Sequence, residues 1–237
     1  MLIILLIVFL QSARKYYFKN TIGTRKMPVI SNLYPQQISM NAQNTVVKIK
    51  TKQTSGSGIM VHQLNNIYTV ITNYHVLKHK QNYQIEIDNE VYQGTLTTVS
   101  NKDDLAVLEF TSDRHYPIAK INSQPLSQYA TLYAAGYPFN SDRLQITSGQ
   151  LLLHLTKPLK QGYQLGYSNA VYHGMSGGAM FNSSGEVIGI NGRNANPIIA
   201  DYQYQDATFP TDELQQQMKR LSWAIPISKA MELVANY

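Results

Sequence analysis

The sequence contains no cysteine at any of its 237 positions. That excludes disulfide bonds and thiol nucleophiles alike. It leaves the compartment open, because a domain of this length can bury a substantial core without covalent staples. Long apolar runs are also missing. The N-terminal run, residues 2–10, holds nine apolar residues, whereas a bilayer span takes about 20. Nine residues match the apolar region of an export signal, about 7–15 long. No Lys or Arg precedes this run, Gln11-Ser12-Ala13 is a poor cleavage site, and Arg14-Lys15 follow directly. We read residues 1–13 as a signal peptide or a short membrane anchor, and expect export to the periplasm or the medium.

Acidic residues are absent from the first 85 positions, which carry ten Lys and Arg; the first acid is Glu86. The remainder holds ten bases and fourteen acids, and the whole chain has a formal net charge of +6. Residues 14–42 read as a basic linker. Within it, residues 14–26 suit contact with an anionic membrane surface, the alternative being a solvated tether. Bases and aromatics are not interleaved as in a nucleic-acid groove, so no nucleic-acid partner is expected. Phosphate-binding glycine motifs and H-E-x-x-H are missing. Histidines 62, 79, 115, 154 and 173 show no tight ligand spacing, so neither metal nor cofactor is implied.

What the chain does have is short runs rich in Val, Ile, Leu, Tyr and Thr. They fall at 45–50, 67–72, 83–87, 105–110, 130–134, 150–155 and 187–190, divided by clusters of Gly, Pro, Asn, Ser and Asp. This is an all-β pattern. Helical periodicity is confined to 212–221 and to a short closing segment, 228–236, with Ser228 as its expected N-cap.

Three motifs carry chemistry. They are Thr72-Asn73-Tyr74-His75-Val76, then Asp103-Asp104-Leu105-Ala106-Val107-Leu108, then Gly174-Met175-Ser176-Gly177-Gly178-Ala179-Met180. A histidine, an acid and a glycine-flanked serine are the parts of a nucleophilic triad. Ser176 would attack a carbonyl carbon, His75 would take its proton as general base, and the acid would fix the imidazole tautomer. Glycines at a tight turn let the N–H groups of Gly174 and Ser176 face a developing oxyanion. Each motif alone also fits a bland turn; the three in order do not. An α/β-hydrolase needs the serine first, and no S-x-x-K surrounds Ser176. Successive strand residues face opposite ways, so only one of Asp103 and Asp104 can reach His75.

Further segments extend the pattern: Ser55-Gly56-Ser57-Gly58 before a strand, Ala135-Gly136-Tyr137-Pro138, Val187-Ile188-Gly189-Ile190-Asn191 and Ala224-Ile225-Pro226-Ile227. With them the chain resembles the trypsin-like, chymotrypsin-fold serine proteases, in particular the cysteine-free bacterial HtrA/Deg-like branch, over roughly residues 43–235. Through Asn191-Gly192-Arg193 it is also similar to stand-alone cyanobacterial trypsin-like peptidases.

The resemblance implies two six-stranded antiparallel β-barrels, one at about 43–115 and one at about 125–235, in a domain closed by a short C-terminal helix. It implies a serine endopeptidase acting on polypeptides through a His75, Asp104, Ser176 triad, with Asp103 left as a solvated turn residue. It places the substrate side chain over Ala170, six residues before the serine, with Tyr172, His173, Gly192 and Asn194 lining the same cleft. No acid stands at Ala170, so cleavage after small or medium aliphatic residues is expected. The digestive members carry an acid just before the serine, which pairs with a newly cut N-terminus. Here that position is Met175, so no such activation is expected. Two other readings fit these residues: a catalytically silent or ligand-activated binding module on the same fold, and an esterase. Residues 194–222, with polar runs at 202–206 and 215–217, read as a surface insertion beside the substrate pocket that either gates the cleft or is simply tolerated.

Overall fold

The computed structural model describes residues 35–77, 82–100, 102–195 and 202–235. The apolar segment at 1–13 and the basic stretch at 14–26 lie outside the described residues.

The first six strands are β1 (Val46–Lys50), β2 (Ser55–Leu64), β3 (Ile67–Thr72), β4 (Tyr83–Ile87), β5 (Glu90–Ser100) and β6 (Leu105–Thr111). They close into a barrel in the order β1-β2-β3-β6-β5-β4. Then follow β7 (Thr131–Gly136), β8 (Gln145–His154), β9 (Leu165–Tyr167), β10 (Ala179–Phe181), β11 (Val187–Arg193) and β12 (Ser222–Pro226). These close in the order β7-β8-β9-β12-β11-β10, the same connectivity as the first barrel. Every ladder in both barrels is antiparallel. The expected all-β double barrel is therefore the architecture found.

Alternation builds the walls. In β4, Tyr83, Ile85 and Ile87 turn into the first barrel while Gln84 and Glu86 turn out. There they meet Val47, Ile49, Val70, Leu108 and Phe110. The second barrel closes over Leu132, Ala134, Leu151, Tyr167, Met180 and Ile188. β3 and β6 are buried almost throughout, because their outer faces are covered as well.

Three helices flank the barrels among the described residues: α1 (Gln36–Thr45), α2 (Asp212–Met218) and α3 (Ile227–Ala235). None of the described helices is long and apolar enough to cross a membrane. Two details differ from the sequence reading. Residues 36–42, assigned to the linker, form most of α1, which buries Ile38, Ala42 and Thr45 at helical spacing. Helix α3 starts at Ile227, so Ser228 lies in its first turn and is not its N-cap.

The described part of the polar insertion is tied down like a belt. Leu159 and Tyr204 form a β-bridge, and the Lys160 N–H donates to the Gln203 carbonyl at 2.8 Å. Tyr202 is buried, with its hydroxyl on the Met218 carbonyl and its ring against Trp223. Residues 196–201 of this insertion lie outside the described residues.

Candidate active site

Strand register brings two of the candidate triad residues together. Thr72 at the end of β3 pairs with Ala106 near the start of β6. The chain leaving β3 therefore runs beside the chain entering β6. A single 3-10 turn, Tyr74–Leu77, then presents His75 to Asp104. The Asp104 carboxylate takes two bonds from His75: its backbone N–H reaches Oδ1 at 2.8 Å, and its ring Nδ1 lies 2.5 Å from Oδ2. Asn73 fixes the same loop, its side-chain amide donating to the Asp104 carbonyl at 2.8 Å.

A third donor reaches this carboxylate, and no motif announces it. Tyr163, just ahead of β9, is buried and gives its hydroxyl to Asp104 Oδ2 at 2.6 Å. The Arg193 guanidinium stacks on the Tyr163 ring, 4.8 Å from its centroid. Burial alone would raise the Asp104 carboxyl. The His75 hydrogen bond and charge, the Tyr163 hydroxyl and the His75 N–H outweigh it and hold the group below its usual range. Burial, then the Asp104 charge, push the Tyr163 phenol far up, so it stays a donor at any working pH.

Asp103 is not the solvated turn residue expected. Its side chain is only 15% exposed and is 3.6 Å from Lys229 Nζ. It also accepts from the side-chain amide of Gln205 at 2.9 Å. Thus Asp104 faces His75, while Asp103 ties the insertion belt and α3 to the acid loop.

Ser176 stands in the connection from β9 to β10. In a trans peptide the C=O and N–H point opposite ways, so tying one aims the other. Around the serine nearly every peptide is tied. The His173 carbonyl accepts from Phe139 N–H (2.7 Å), Met175 from Gly178 (3.1 Å) and Ser176 from Ser57 (2.8 Å). Met175 N–H goes to the Tyr172 carbonyl and Gly177 N–H to Asn191. Gly174 and Gly177 hold left-handed φ values of +95° and +84°, and a Cβ on Gly177 would collide with the Ser57 carbonyl. Among residues 174–178, the N–H groups of Met175, Gly177 and Gly178 find acceptors, and those of Gly174 and Ser176 do not. They are the two singled out from the sequence.

The Ser176 hydroxyl donates to the Gly192 carbonyl at 3.1 Å and makes no bond to His75. Gly192 in turn lies against the Tyr163 hydroxyl, too close for any Cβ. Serine, Gly192, Tyr163, Asp104 and His75 thus form one continuous chain of contacts.

The other cleft residues are spread out. Ala170 is exposed and its carbonyl accepts from Thr147 Oγ1 at 2.8 Å. Tyr172 is 51% exposed, and Asn194 is exposed too. The exposed His173 ring packs on Phe139, with centroids 5.3 Å apart. Met175 is fully buried in the second-barrel core, so the residue preceding the serine is anchored by apolar packing. Among the described residues no three His, Asp or Glu side chains group as metal ligands.

Comparison with known proteins gives the same picture. The family model for the trypsin-like peptidase domain matches residues 56–190. Mouse serine protease HTRA4 is 28% identical over 190 residues, covering 75% of this chain and 37% of the relative. Serine endoprotease DegS of Escherichia coli K12 is 30% identical over 173 residues, covering 70% of this chain and 46% of the relative. The chain therefore spans less than half the length of these relatives. Among solved structures, a serine endoprotease from Yersinia pestis has a TM-score of 0.65 at 22% identity, covering 84% of this chain and 65% of that one. The inactive form of the Rv3671c protease of M. tuberculosis has a TM-score of 0.63 at 17% identity, covering 84% and 91%. At such identities the structural likeness is one of fold.

Proposed function

Because the chain belongs to the trypsin-like peptidase domain family, we propose that it is a serine endopeptidase using Ser176, His75 and Asp104. The observation that carries this reading is the serine turn itself. Its peptides are tied down by neighbours, yet the two N–H groups beside the nucleophile are left unclaimed. A site with no anionic task would gain by pairing them.

In the reaction Ser176 Oγ turns from the Gly192 carbonyl toward His75 Nε2, a bond that forms on substrate binding. It attacks the scissile carbonyl carbon while Nε2 takes its proton. Charge on the carbonyl oxygen is met by Gly174 N–H and Ser176 N–H. Collapse breaks the C–N bond, and the proton passes from His75 to the leaving amine. Water, deprotonated by the same imidazole, then cleaves the acyl-enzyme. Asp104, fixed by Tyr163, keeps the Nδ1 proton in place and stabilises the imidazolium.

The absence of an acid at Ala170 supports cleavage after small or medium aliphatic residues, with polypeptides as substrates. The apolar run at 2–10 supports action outside the cytoplasm, and residues 14–26 an anionic membrane contact.

The test is fluorophosphonate labelling of the full chain beside Ser176→Ala and His75→Ala, with casein turnover and a peptide-library profile in parallel. Labelling abolished by both substitutions, with casein cleaved after aliphatic residues, is the expected result. A folded chain that does not label contradicts the proposal. Turnover of small esters alone would replace peptidase with esterase, and a profile dominated by Arg or Lys would overturn the pocket assignment.

A further inference from the structure

Ser57 belongs to a glycine-flanked motif, Ser55-Gly56-Ser57-Gly58, to which the triad chemistry assigns no role. It lies within β2 of the first barrel and is fully buried. Even so, most of its hydrogen bonds cross to the second barrel. Its N–H donates to the Ser176 carbonyl at 2.8 Å. Its hydroxyl donates to the Gly174 carbonyl at 2.9 Å and accepts from Tyr137 N–H at 2.8 Å. Its own carbonyl takes the Thr72 hydroxyl at 2.7 Å, three residues before His75.

Consider what these bonds hold. The peptides of the serine turn alternate in how they are held. Those whose N–H groups point into the cleft are held from the second barrel, by Phe139 and Gly178. The two interleaved with them are held at both ends: their N–H groups, on Met175 and Gly177, by Tyr172 and Asn191 of the second barrel, and their carbonyls, on Gly174 and Ser176, from the first barrel, both by Ser57. Tyr137, which Ser57 also grips, stands two residues before Phe139 and so sets the segment that restrains the His173 carbonyl. Glycine at 174 leaves this peptide chain little resistance of its own to flipping. Water does not reach the Ser57 hydroxyl to substitute for a lost bond, and its donor and an acceptor site are both engaged.

We propose that Ser57 is a positioning residue that keeps the Gly174 and Ser176 N–H groups aimed into the cleft, a permanent counterpart of the ion pair that Met175 cannot make. The inference rests on the endopeptidase reading above. It implies a site assembled in the uncut, unliganded chain and set by contact between the barrels.

The test compares the full chain with Ser57→Ala, measuring kcat and KM on a peptide substrate and the affinity of a peptide boronate. A boronate becomes tetrahedral on Ser176 and so probes the aim of the N–H groups. The expected result is a fall in kcat on the order of 10²-fold, KM within about threefold, and boronate affinity falling in step with kcat/KM. Ser57→Cys keeps the shape, slightly enlarged, with a weaker donor; it stays informative if the alanine variant does not fold, and its kcat should be intermediate. A folded variant with wild-type kcat and boronate affinity overturns the assignment of Ser57 and leaves the endopeptidase reading intact. A wild-type chain that neither labels nor turns over sinks both.

Discussion

Asp104 stays charged although it is buried, because donors surround it on three sides, and the third is Tyr163. The pairing of His75 with an acid is readable from the order of the motifs; the opposite facing of neighbours on a strand says that only one of Asp103 and Asp104 can reach it, and the family resemblance points to Asp104. Tyr163 is not readable. A tyrosine between Gly162 and Gln164 matches no motif, and its partner lies 59 residues away. Ser57 is visible as part of a motif, but its role depends on contacts with the other barrel.

Tyr163→Phe removes one hydroxyl and leaves the ring under Arg193. A hydrogen bond to a buried charge is worth about 1.5–3 kcal/mol, so denaturant unfolding should show a loss of that size at neutral pH. The sign with pH is fixed. A carboxyl depressed by folding contributes stability that is present above its unfolded pKa and lost as pH falls through the folded value. Without Tyr163 that folded value rises, so the variant should reach its acid loss at higher pH than wild type. An unchanged acid profile would show that the phenol does not hold this carboxylate.

Among the elements, β4 is legible because its inward and outward residues alternate. The three-residue strands β9 and β10 are too short to express any period, and only the closure of the barrel defines them. Helix α1 hides among polar residues, although Ile38, Ala42 and Thr45 do carry helical spacing. The insertion misleads for a related reason. Its glutamines and tyrosines look like surface loop, yet Tyr202 is 2% exposed and supports Trp223. Truncating a buried aromatic costs about 3–5 kcal/mol, so Tyr202→Ala should lose stability in that range by urea unfolding. A loss below about 0.5 kcal/mol, the scale of surface substitutions, would restore the reading of a tolerated loop.

Over the whole molecule, the crossover between barrels is fastened by a carboxylate. Glu186 takes Lys120 Nζ at 2.8 Å and the amides of Asn122 and Asn182 at 2.6 and 2.9 Å. These bonds, led by Lys120, hold its carboxyl down to about 2. Its stabilising contribution is full above the ordinary carboxylate value of about 4.3 and vanishes toward pH 2. Glu186→Gln should therefore lower the thermal midpoint near pH 6 and converge with wild type at the acid end. Parallel midpoint curves across that range would contradict this.

The bond from Ser57 to Gly174 closes across 117 residues. During synthesis the first barrel can be complete, with histidine and acid in contact, while the second is still unmade. On our reading such a half-chain has no aimed oxyanion donors and no nucleophile. Latency is then timed by translation itself: proteolytic capacity would arise in one step, when the last-made barrel docks, and would vanish again whenever the two part.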